Sequence, residues 1–283
     1  MSKLYHAPAK VNLRLTVKSR RPDGYHEIES LMQAVTLRDS LLFTPIEEGI
    51  EVYADSKDVP NGESNIAWRA ARLILDEAKY NRGVRIDIQK EIPVAAGLGG
   101  GSSNAATTLT ALNEMFTLGF DQADLLRLGT QLGADVPFFL FRKSAWARGI
   151  GEILTPAGII PQFNYLIINP LFPLSTAAVY RGVKIGLTNP TNDYSPPGHL
   201  ADLHYLETLL VNDLESVSLA MHPKIGEIKQ FLVNEGALGT LMSGSGPSVF
   251  GIFADREISL KLAQKVRKET KWLAFAVTGL NSW

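Results

Sequence analysis

Four glycines and two serines concentrated in one short stretch give this sequence its clearest chemical signal. In chain order they are Gly97, Gly99, Gly100, Gly101, Ser102 and Ser103. Glycines let the backbone turn several N–H groups toward one point, and a helix that begins there adds a partial positive charge. The stretch therefore predicts a phosphate-binding loop. An ordinary flexible turn is the plain alternative, but such a turn needs one or two glycines and no paired hydroxyls.

Two familiar phosphate-binding loops do not fit the spacing. A Walker A loop has lysine and then serine or threonine directly after its second glycine, whereas the sixth position counted from Gly97 is Ser102 and no lysine follows. The dinucleotide fingerprint requires a glycine at that same sixth position. The spacing thus excludes both loops. Because the dinucleotide fingerprint is absent, it also argues against a dinucleotide-dependent oxidoreductase.

Lys10 and Asp135 are the ionisable residues whose settings suggest chemistry. Lys10 and Asn12 alternate with apolar residues, so they share one face of a predicted strand about 7 Å apart. The plain interpretation is a solvated strand face. Asp135 stands before Val136 and Pro137, and proline is common in a first helical turn. It is therefore either a helix cap or a carboxylate that a helix dipole keeps ionised.

A turn signal at residues 22–24, Pro-Asp-Gly, places Tyr25 and His26 side by side on a loop. Aromatic side chains on a loop suit stacking against a flat ring, and a histidine can meet its polar edge. The plain alternative is a tyrosine packed on its own turn beside an idle histidine.

Periodicity predicts the elements that position these residues. The predicted strands are 10–18, 40–44, 50–54, 84–89, 165–169, 249–253 and 272–277. The predicted helices are 65–79, 105–115, 121–132, 200–210, 214–221, 225–234 and 258–268, with a short helix near Thr176 to Tyr180 and a proline-rich loop at 188–198. Mixed strands and helices in both halves indicate an α+β fold. A Gly/Pro-rich stretch between Trp146 and Phe163 predicts a domain boundary near residue 155, giving domains 1–155 and 156–283.

Composition excludes several classes of protein. The 283 residues carry 28 basic and 29 acidic side chains, and a net charge of −1 gives no electrostatic reason to expect nucleic acid or an acidic membrane as partner. The absence of cysteine excludes disulfides, thiolate catalysis and cysteine metal sites. The amino-terminal residues lack an apolar signal segment, which favours a cytoplasmic protein without a membrane partner. Assembly as a monomer or a homodimer is left open.

Three separated motifs resemble those of the GHMP kinase superfamily, in the same order. They are PAKVNL (8–13), PVAAGLGGGSSNAA (93–106) and SGSGPSVFGIF (243–253). The resemblance implies a two-domain α+β fold with its active site in the cleft between an ATP-binding domain, 1–155, and a substrate-side domain, 156–283. RPDGYHEIESLM (21–32), GADVPFF (133–139) and NDLE (212–215) resemble one branch of the superfamily, which phosphorylates the 2-hydroxyl of a cytidylated methylerythritol. Asn104 departs from the aspartate expected in many relatives.

The resemblance also implies roles for individual residues. The expected catalytic pair is Lys10 and Asp135. The expected ATP-binding residues are Val94, Ala95, Ala96, Gly97, Leu98, Gly99, Gly100, Gly101, Ser102, Ser103 and Asn104, with Asn65 near the adenine. The expected substrate-binding residues are Asn12, Tyr25, His26, Thr176 and Tyr180. Mg²⁺ is expected to accompany ATP, with Ser102 or Ser103 able to reach it and its remaining ligands undetermined.

Two alternatives remain. Another kinase of the superfamily, such as a homoserine or mevalonate kinase, would explain the phosphate loop but not the Tyr25–His26 turn or NDLE. A catalytically silent ligand sensor of the same fold would bind ligand without releasing ADP. Such a sensor is expected to lose the catalytic pair, and both Lys10 and Asp135 are present.

Overall fold

The computed structural model describes residues 1–183 and 206–283 of the chain and divides it into two compact units. Unit 1 comprises Met1–Ala9, Leu37–Val94 and Gly99–Arg142. Unit 2 comprises Lys10–Thr36, Ala95–Leu98 and Lys143–Trp283. All three segments of unit 2 therefore begin before residue 155. A boundary near residue 155, which would divide the chain into two contiguous domains, stays a prediction.

The described residues form eleven strands and nine α-helices. The strands are β1 Lys3–Arg20, β2 His26–Ile46, β3 Ile50–Ala54, β4 Gly83–Gln89, β5 Ala145–Gly149, β6 Ile153–Pro156, β7 Asn164–Asn169, β8 Val211–Asn212, β9 Gly239–Met242, β10 Val249–Phe253 and β11 Leu273–Leu280. The helices are α1 Ile66–Glu77, α2 Gly100–Phe116, α3 Gln122–Leu132, α4 Val136–Phe141, α5 Thr176–Gly182, α6 Leu206–Leu209, α7 Glu215–Met221, α8 Lys224–Asn234 and α9 Arg256–Glu269.

Unit 1 is a short sheet with four helices. The last residues of β2 pair antiparallel with β4, and β3 pairs parallel with β4. The predicted alternation in β4 is confirmed, because Val84, Ile86 and Ile88 are all buried. Helix α1 packs on α2, which begins within the glycine stretch, and α3 packs on both α2 and α4, the helix that follows Asp135. The sheet and its helices thus hold the starts of α2 and α4 on one scaffold.

Unit 2 is built around β7, which pairs antiparallel with β10 on one side and β11 on the other. Strand β9 extends β10, and β11 continues to the early part of β2 through Gly279 and Val35. Strand β8 pairs parallel with β1, with Arg14 opposite Val211. Helices α8 and α9 cover the sheet, and the core between them includes Leu166, Ile228 and Val266. The predicted β10 is confirmed to the residue.

The polar face of β1 departs from the sequence prediction. Residues 7–17 are buried without interruption, and Lys10, Asn12 and Arg14 are only 3%, 2% and 5% exposed. The interpretation of a solvated strand face is therefore wrong for these three residues. Their polar groups are bonded to protein groups instead: Arg14 donates to the carbonyl of Thr208, and Lys10 donates to the side chain of Asn12. Burial of polar groups is tolerated when they are hydrogen-bonded.

Some elements were missed or fall outside the described residues. Strand β5 and the first half of β2 carry no clear period-2 pattern, because their residues are buried on both faces. The predicted loop at 188–198 and most of the predicted helix at 200–210 lie outside the described residues. Within the described ranges, no helix combines the length and apolar character needed to cross a bilayer.

Candidate active site

The glycine stretch opens helix α2 earlier than predicted. The helix begins at Gly100 rather than near Ala105, so Gly101, Ser102 and Ser103 lie in its first turn. The N-cap is Gly99 with φ 72°, and no side chain caps the helix. The first amide N–H groups of a helix have no intrahelical partner, and the helix dipole makes this end positive. The local geometry of unit 1 thus suits an anion at the start of α2.

Residues 95–98, which precede Gly99 and α2, belong to unit 2 and pack against the second glycine loop, residues 243–248. The Ser243 hydroxyl donates to the carbonyl of Gly97 at 3.0 Å, and the Ser248 amide donates to that of Ala96 at 3.3 Å. Gly97 has φ 77°, and a Cβ built on it would lie 2.1 Å from the carbonyl oxygen of Ser243. The two loops approach so closely that only glycine fits at position 97.

Lys10 lies at the place where these two loops meet β1. Its amide donates to the Leu98 carbonyl at 2.9 Å, and its Nζ donates to Asn12 Oδ1 at 2.6 Å. A Cβ built on Gly244 would lie 3.4 Å from both Lys10 Nζ and Asn12 Oδ1. The structure of unit 2 therefore brings the first and third sequence motifs together around one buried ammonium.

The orientation of Asn12 follows from a short chain of hydrogen bonds. Asn12 Nδ2 donates to Ser30 Oγ at 2.8 Å, and that hydroxyl donates in turn to the carbonyl of Arg14 at 2.7 Å. Because the amide nitrogen is engaged there, the amide oxygen faces Lys10. Ser30, within the RPDGYHEIESLM motif, is a residue whose role sequence reasoning missed.

Asp135 stands at the start of α4 in unit 1. It occupies the N-cap position with φ −84° and ψ −11°, and its side chain makes no capping hydrogen bond. Asp135 is therefore the N-cap residue by position, as one of the two interpretations predicted, but its carboxylate does not cap the helix. Its pairing with Lys10 stays a prediction.

The Tyr25–His26 turn forms as predicted. The Tyr25 amide donates to Asp23 Oδ1 at 3.0 Å, which closes the turn and leaves Tyr25 60% exposed. The His26 ring contacts the Tyr180 ring, with centroids 5.3 Å apart and the planes tilted by 33°. Burial, with a smaller contribution from the Arg20 cation, lowers the pKa of His26 below its ordinary value of 6.5. His26 is therefore neutral at pH 7, with one ring nitrogen able to donate and the other able to accept.

Thr176 and Asn65 are both held by hydrogen bonds. The Thr176 hydroxyl lies 2.8 Å from that of Ser245, which ties the first turn of α5 to the second glycine loop. Asn65 is the N-cap of α1: its Oδ1 accepts from Ala67 N at 2.9 Å, and its Nδ2 donates to Pro60 O at 2.8 Å. Its contact with adenine stays a prediction.

A buried cluster that the sequence did not reveal lies beside α2 in unit 1. Asp39 forms an ion pair with Lys90, and its Oδ2 accepts from Asn104 Nδ2 at 2.9 Å. Its Oδ1 accepts from the amides of Glu91 and Ile92, each at 2.9 Å. The three side chains come from β2, the end of β4 and α2, so no local spacing could have predicted their contact. Asn104 thus joins α2 to the segment that leads into the glycine stretch.

The fit to an ATP-bound Mg²⁺ rests on hydroxyls rather than carboxylates. The buried Oγ of Ser103, in the first turn of α2, has no hydrogen-bond partner within the described part of the chain. That part of the chain also contains no group of three or more histidine or acidic side chains placed to hold a metal. Mg²⁺ in nucleotide sites keeps waters and takes substrate phosphates as ligands. A buried hydroxyl in the first turn of α2, without a partner among the described residues, fits such an ion.

Known proteins resemble this chain over nearly its whole length. The family model described as GHMP kinases N terminal domain matches residues 65–143, and GHMP kinases C terminal matches residues 188–271. The 4-diphosphocytidyl-2-C-methyl-D-erythritol kinase of Syntrophus aciditrophicus is 46% identical over 97% of this chain and 98% of its own. That of Geobacter metallireducens is 47% identical over 97% of each.

Solved structures extend the likeness to the fold. A crystal structure of 4-(cytidine 5'-diphospho)-2C-methyl-D-erythritol kinase superposes with a TM-score of 0.81 at 36% identity, covering 99% of this chain and 100% of that one. A homoserine kinase from Cytophaga hutchinsonii has a TM-score of 0.78 at 19% identity, covering 99% of this chain and 95% of its own. At that identity the second likeness concerns the fold alone.

Proposed function

Because the chain belongs to the 4-diphosphocytidyl-2-C-methyl-D-erythritol kinases of the GHMP kinase superfamily, we propose that Lys10 and Asp135 carry out its phosphoryl transfer. The chain is an ATP-dependent kinase that phosphorylates the 2-hydroxyl of 4-diphosphocytidyl-2-C-methyl-D-erythritol, in the non-mevalonate route to isoprenoid precursors. The observation that best supports the residue roles is the burial of Lys10 between two glycine loops.

Asp135 orients the acceptor hydroxyl and takes its proton. The hydroxyl oxygen forms a bond to the γ-phosphorus of ATP, the bond from that phosphorus to the β–γ bridging oxygen breaks, and ADP leaves. Phosphoryl transfer needs little covalent help, so positioning and electrostatics supply most of the rate enhancement. Lys10 supplies a fixed positive charge for the transferred group, and Asn12 holds that charge in place through the 2.6 Å hydrogen bond.

Residues 94–104 bind the triphosphate of ATP. The uncapped start of α2 offers backbone N–H groups to the phosphates, and the contacts of Gly97 with Ser243 fix the path of the loop. The hydroxyl of Ser102 or Ser103 would hold Mg²⁺, and this ion, when bound, would neutralise charge on the phosphates of ATP. Asn65 lies near the adenine.

Tyr25, His26, Thr176 and Tyr180 bind the cytidyl group. The exposed ring of Tyr25 provides a stacking face, and the neutral imidazole of His26 offers a donor and an acceptor to the polar edge of the base. Tyr180 holds the His26 ring in place through the contact between the two rings. The protein acts in the cytoplasm as a monomer or a homodimer.

An ADP-release assay tests the proposal. The purified protein is given ATP and, in separate reactions, the cytidylated methylerythritol, homoserine or mevalonate. We expect ADP release only with the first, and a loss of that release in Lys10→Met while ATP still binds. Comparable release with homoserine or mevalonate would contradict the substrate, and normal turnover of Lys10→Met would contradict the role of Lys10.

A further inference from the structure

We propose that Asn212 is a positioning residue that sets the second glycine loop, residues 243–248, against the Lys10 ammonium. This inference rests on the function proposed above. It assigns a role to the NDLE motif, residues 212–215, which has none in the proposed phosphoryl transfer. Asn212 contacts no reacting group: it acts through the backbone of the loop. All the contacts involved lie within unit 2.

The side-chain amide of Asn212 makes three hydrogen bonds, one to the loop, one to Met242 directly before it and one to its own segment. Its Nδ2 donates to the carbonyls of Met242 and Gly244, both at 2.8 Å, and its Oδ1 accepts from Leu214 N at 3.0 Å. The residue is 9% exposed. Two backbone carbonyls that converge on one point require a group with two N–H donors, which asparagine supplies and aspartate lacks.

The other polar residues of the motif anchor Asn212 to the surrounding strands. Glu215 Oε1 accepts from Met242 N at 2.9 Å, and its Oε2 accepts from Lys229 Nζ at 2.5 Å. Asp213 Oδ2 accepts from Val17 N at 2.7 Å. The motif is therefore bonded to the loop on one side and to β1, the strand of Lys10, on the other.

The position of Gly244 links this anchorage to the reaction. Its carbonyl is held by Asn212, while its Cα faces Lys10 so closely that an added Cβ would touch Nζ at 3.4 Å. The same loop also bonds to Gly97 through Ser243. If the loop moves, the surroundings of the ammonium and the path of the phosphate loop both change. A misplacement of about 1 Å around a reacting group can cost about 100-fold in rate.

The first test compares two asparagines that hold backbone carbonyls. Asn212→Ala should lower kcat by about 10–100-fold at saturating substrates, with little change in KM for the cytidylated methylerythritol. The control is Asn281→Ala, since Asn281 Nδ2 donates to Ile160 O at 2.8 Å away from the loops. It should lower the melting temperature and leave kcat unchanged. A kcat within twofold of wild type for folded Asn212→Ala would overturn the inference.

The second test is a double-mutant cycle on kcat with Lys10→Met. If Asn212 acts through Lys10, adding Asn212→Ala to Lys10→Met should cause no further loss. Multiplied losses would overturn the positioning role and leave the proposed function standing, whereas wild-type turnover of Lys10→Met alone would overturn both. Asn212→Ser, which keeps one donor, replaces Asn212→Ala in both tests if circular dichroism finds the latter unfolded.

Discussion

Replacing Gly97 with alanine should show how much stability and activity depend on the close approach of the two glycine loops. The backbone strain of a left-handed alanine can be measured separately in a control variant. The new Cβ would lie 2.1 Å from the backbone oxygen of Ser243 and 3.1 Å from that of Gly246. The matched control is Gly158→Ala, because Gly158 has φ 75° against 77° for Gly97 and has no atom within 4 Å of a built Cβ. Both variants therefore carry the same left-handed strain, and only Gly97→Ala adds a clash.

The two costs can be separated in size. Left-handed backbone in a residue with a Cβ costs about 1–2 kcal/mol, which is the whole expected effect of Gly158→Ala. Gly97→Ala also forces the loops apart by about 1 Å to reach van der Waals contact. That movement breaks the hydrogen bonds from Ser243 Oγ to Gly97 O and from Ser248 N to Ala96 O. At about 0.5–1.5 kcal/mol each, the bonds bring the loss in Gly97→Ala to about 2–5 kcal/mol.

Thermal unfolding and ADP release measure the two effects. A loss of 1 kcal/mol shifts the melting temperature by about 2–4 °C in a protein of 150–250 residues, so Gly97→Ala should melt several degrees below Gly158→Ala. We expect kcat/KM of Gly97→Ala to fall by about 100-fold, because the displaced loops flank Lys10. Equal melting temperatures and equal activities of the two variants would refute the reasoning.

Further predictions concern the proposed catalytic carboxylate, the proposed cytidyl site and the buried cluster around Asp39. Asp135→Asn should lower kcat by about 100- to 10,000-fold with ATP binding retained in calorimetry; near-normal turnover would contradict its role. Tyr25→Ala should raise KM for the cytidylated substrate by at least about fivefold, the loss expected for base stacking, and leave KM for ATP unchanged; equal effects on both would count against stacking. Since burial lowers the pKa of His26, KM for that substrate should be constant above pH 7 and rise as the pH falls through the lowered pKa, a dependence absent in His26→Gln. The same titration affects stability: neutral His26 makes its full contribution to the free energy of unfolding above pH 6.5, and this contribution is lost as the pH falls below the lowered pKa. Asp39→Asn should destabilise the protein by about 3–5 kcal/mol in denaturant unfolding by leaving the Lys90 charge unpaired, and Asp39→Asn with Lys90→Met should recover part of that loss; no recovery would mean that the charge is not the cause.

Sequence patterns predicted an element well where the groups that begin or end it are close to it in sequence. Helix α3 begins after Asp121, as predicted, because Asp121 and Asp124 cap each other's amides across three residues. Strand β10 is an apolar run bounded by a glycine-proline turn, and its bounds are confirmed. Such features depend on neighbours in sequence, so the residues themselves contain the information.

Features that depend on distant residues could not be predicted in this way. The period-2 pattern of β1 shows that Lys10 and Asn12 share a face, but it carries no information about what covers that face. The cover comes from Ser30 and from the loop at Ser243. The Asp39 cluster is likewise assembled from three elements of unit 1. The roles of the candidate site residues came from family resemblance, and they stay predictions that the proposed variants test.

The hydrogen bond between the Asn12 amide and the Ser243 hydroxyl joins residues 231 positions apart, and this separation has a consequence for synthesis on the ribosome. A ribosome adds about 5–20 residues per second, so the strand that carries Lys10 waits on the order of ten seconds or more for the loop that covers it. During that time its lysine and asparagine remain accessible to water or to chaperones. A nascent or truncated chain that ends before residue 243 therefore lacks the second glycine loop beside Lys10, and phosphoryl transfer should appear only once that loop has emerged.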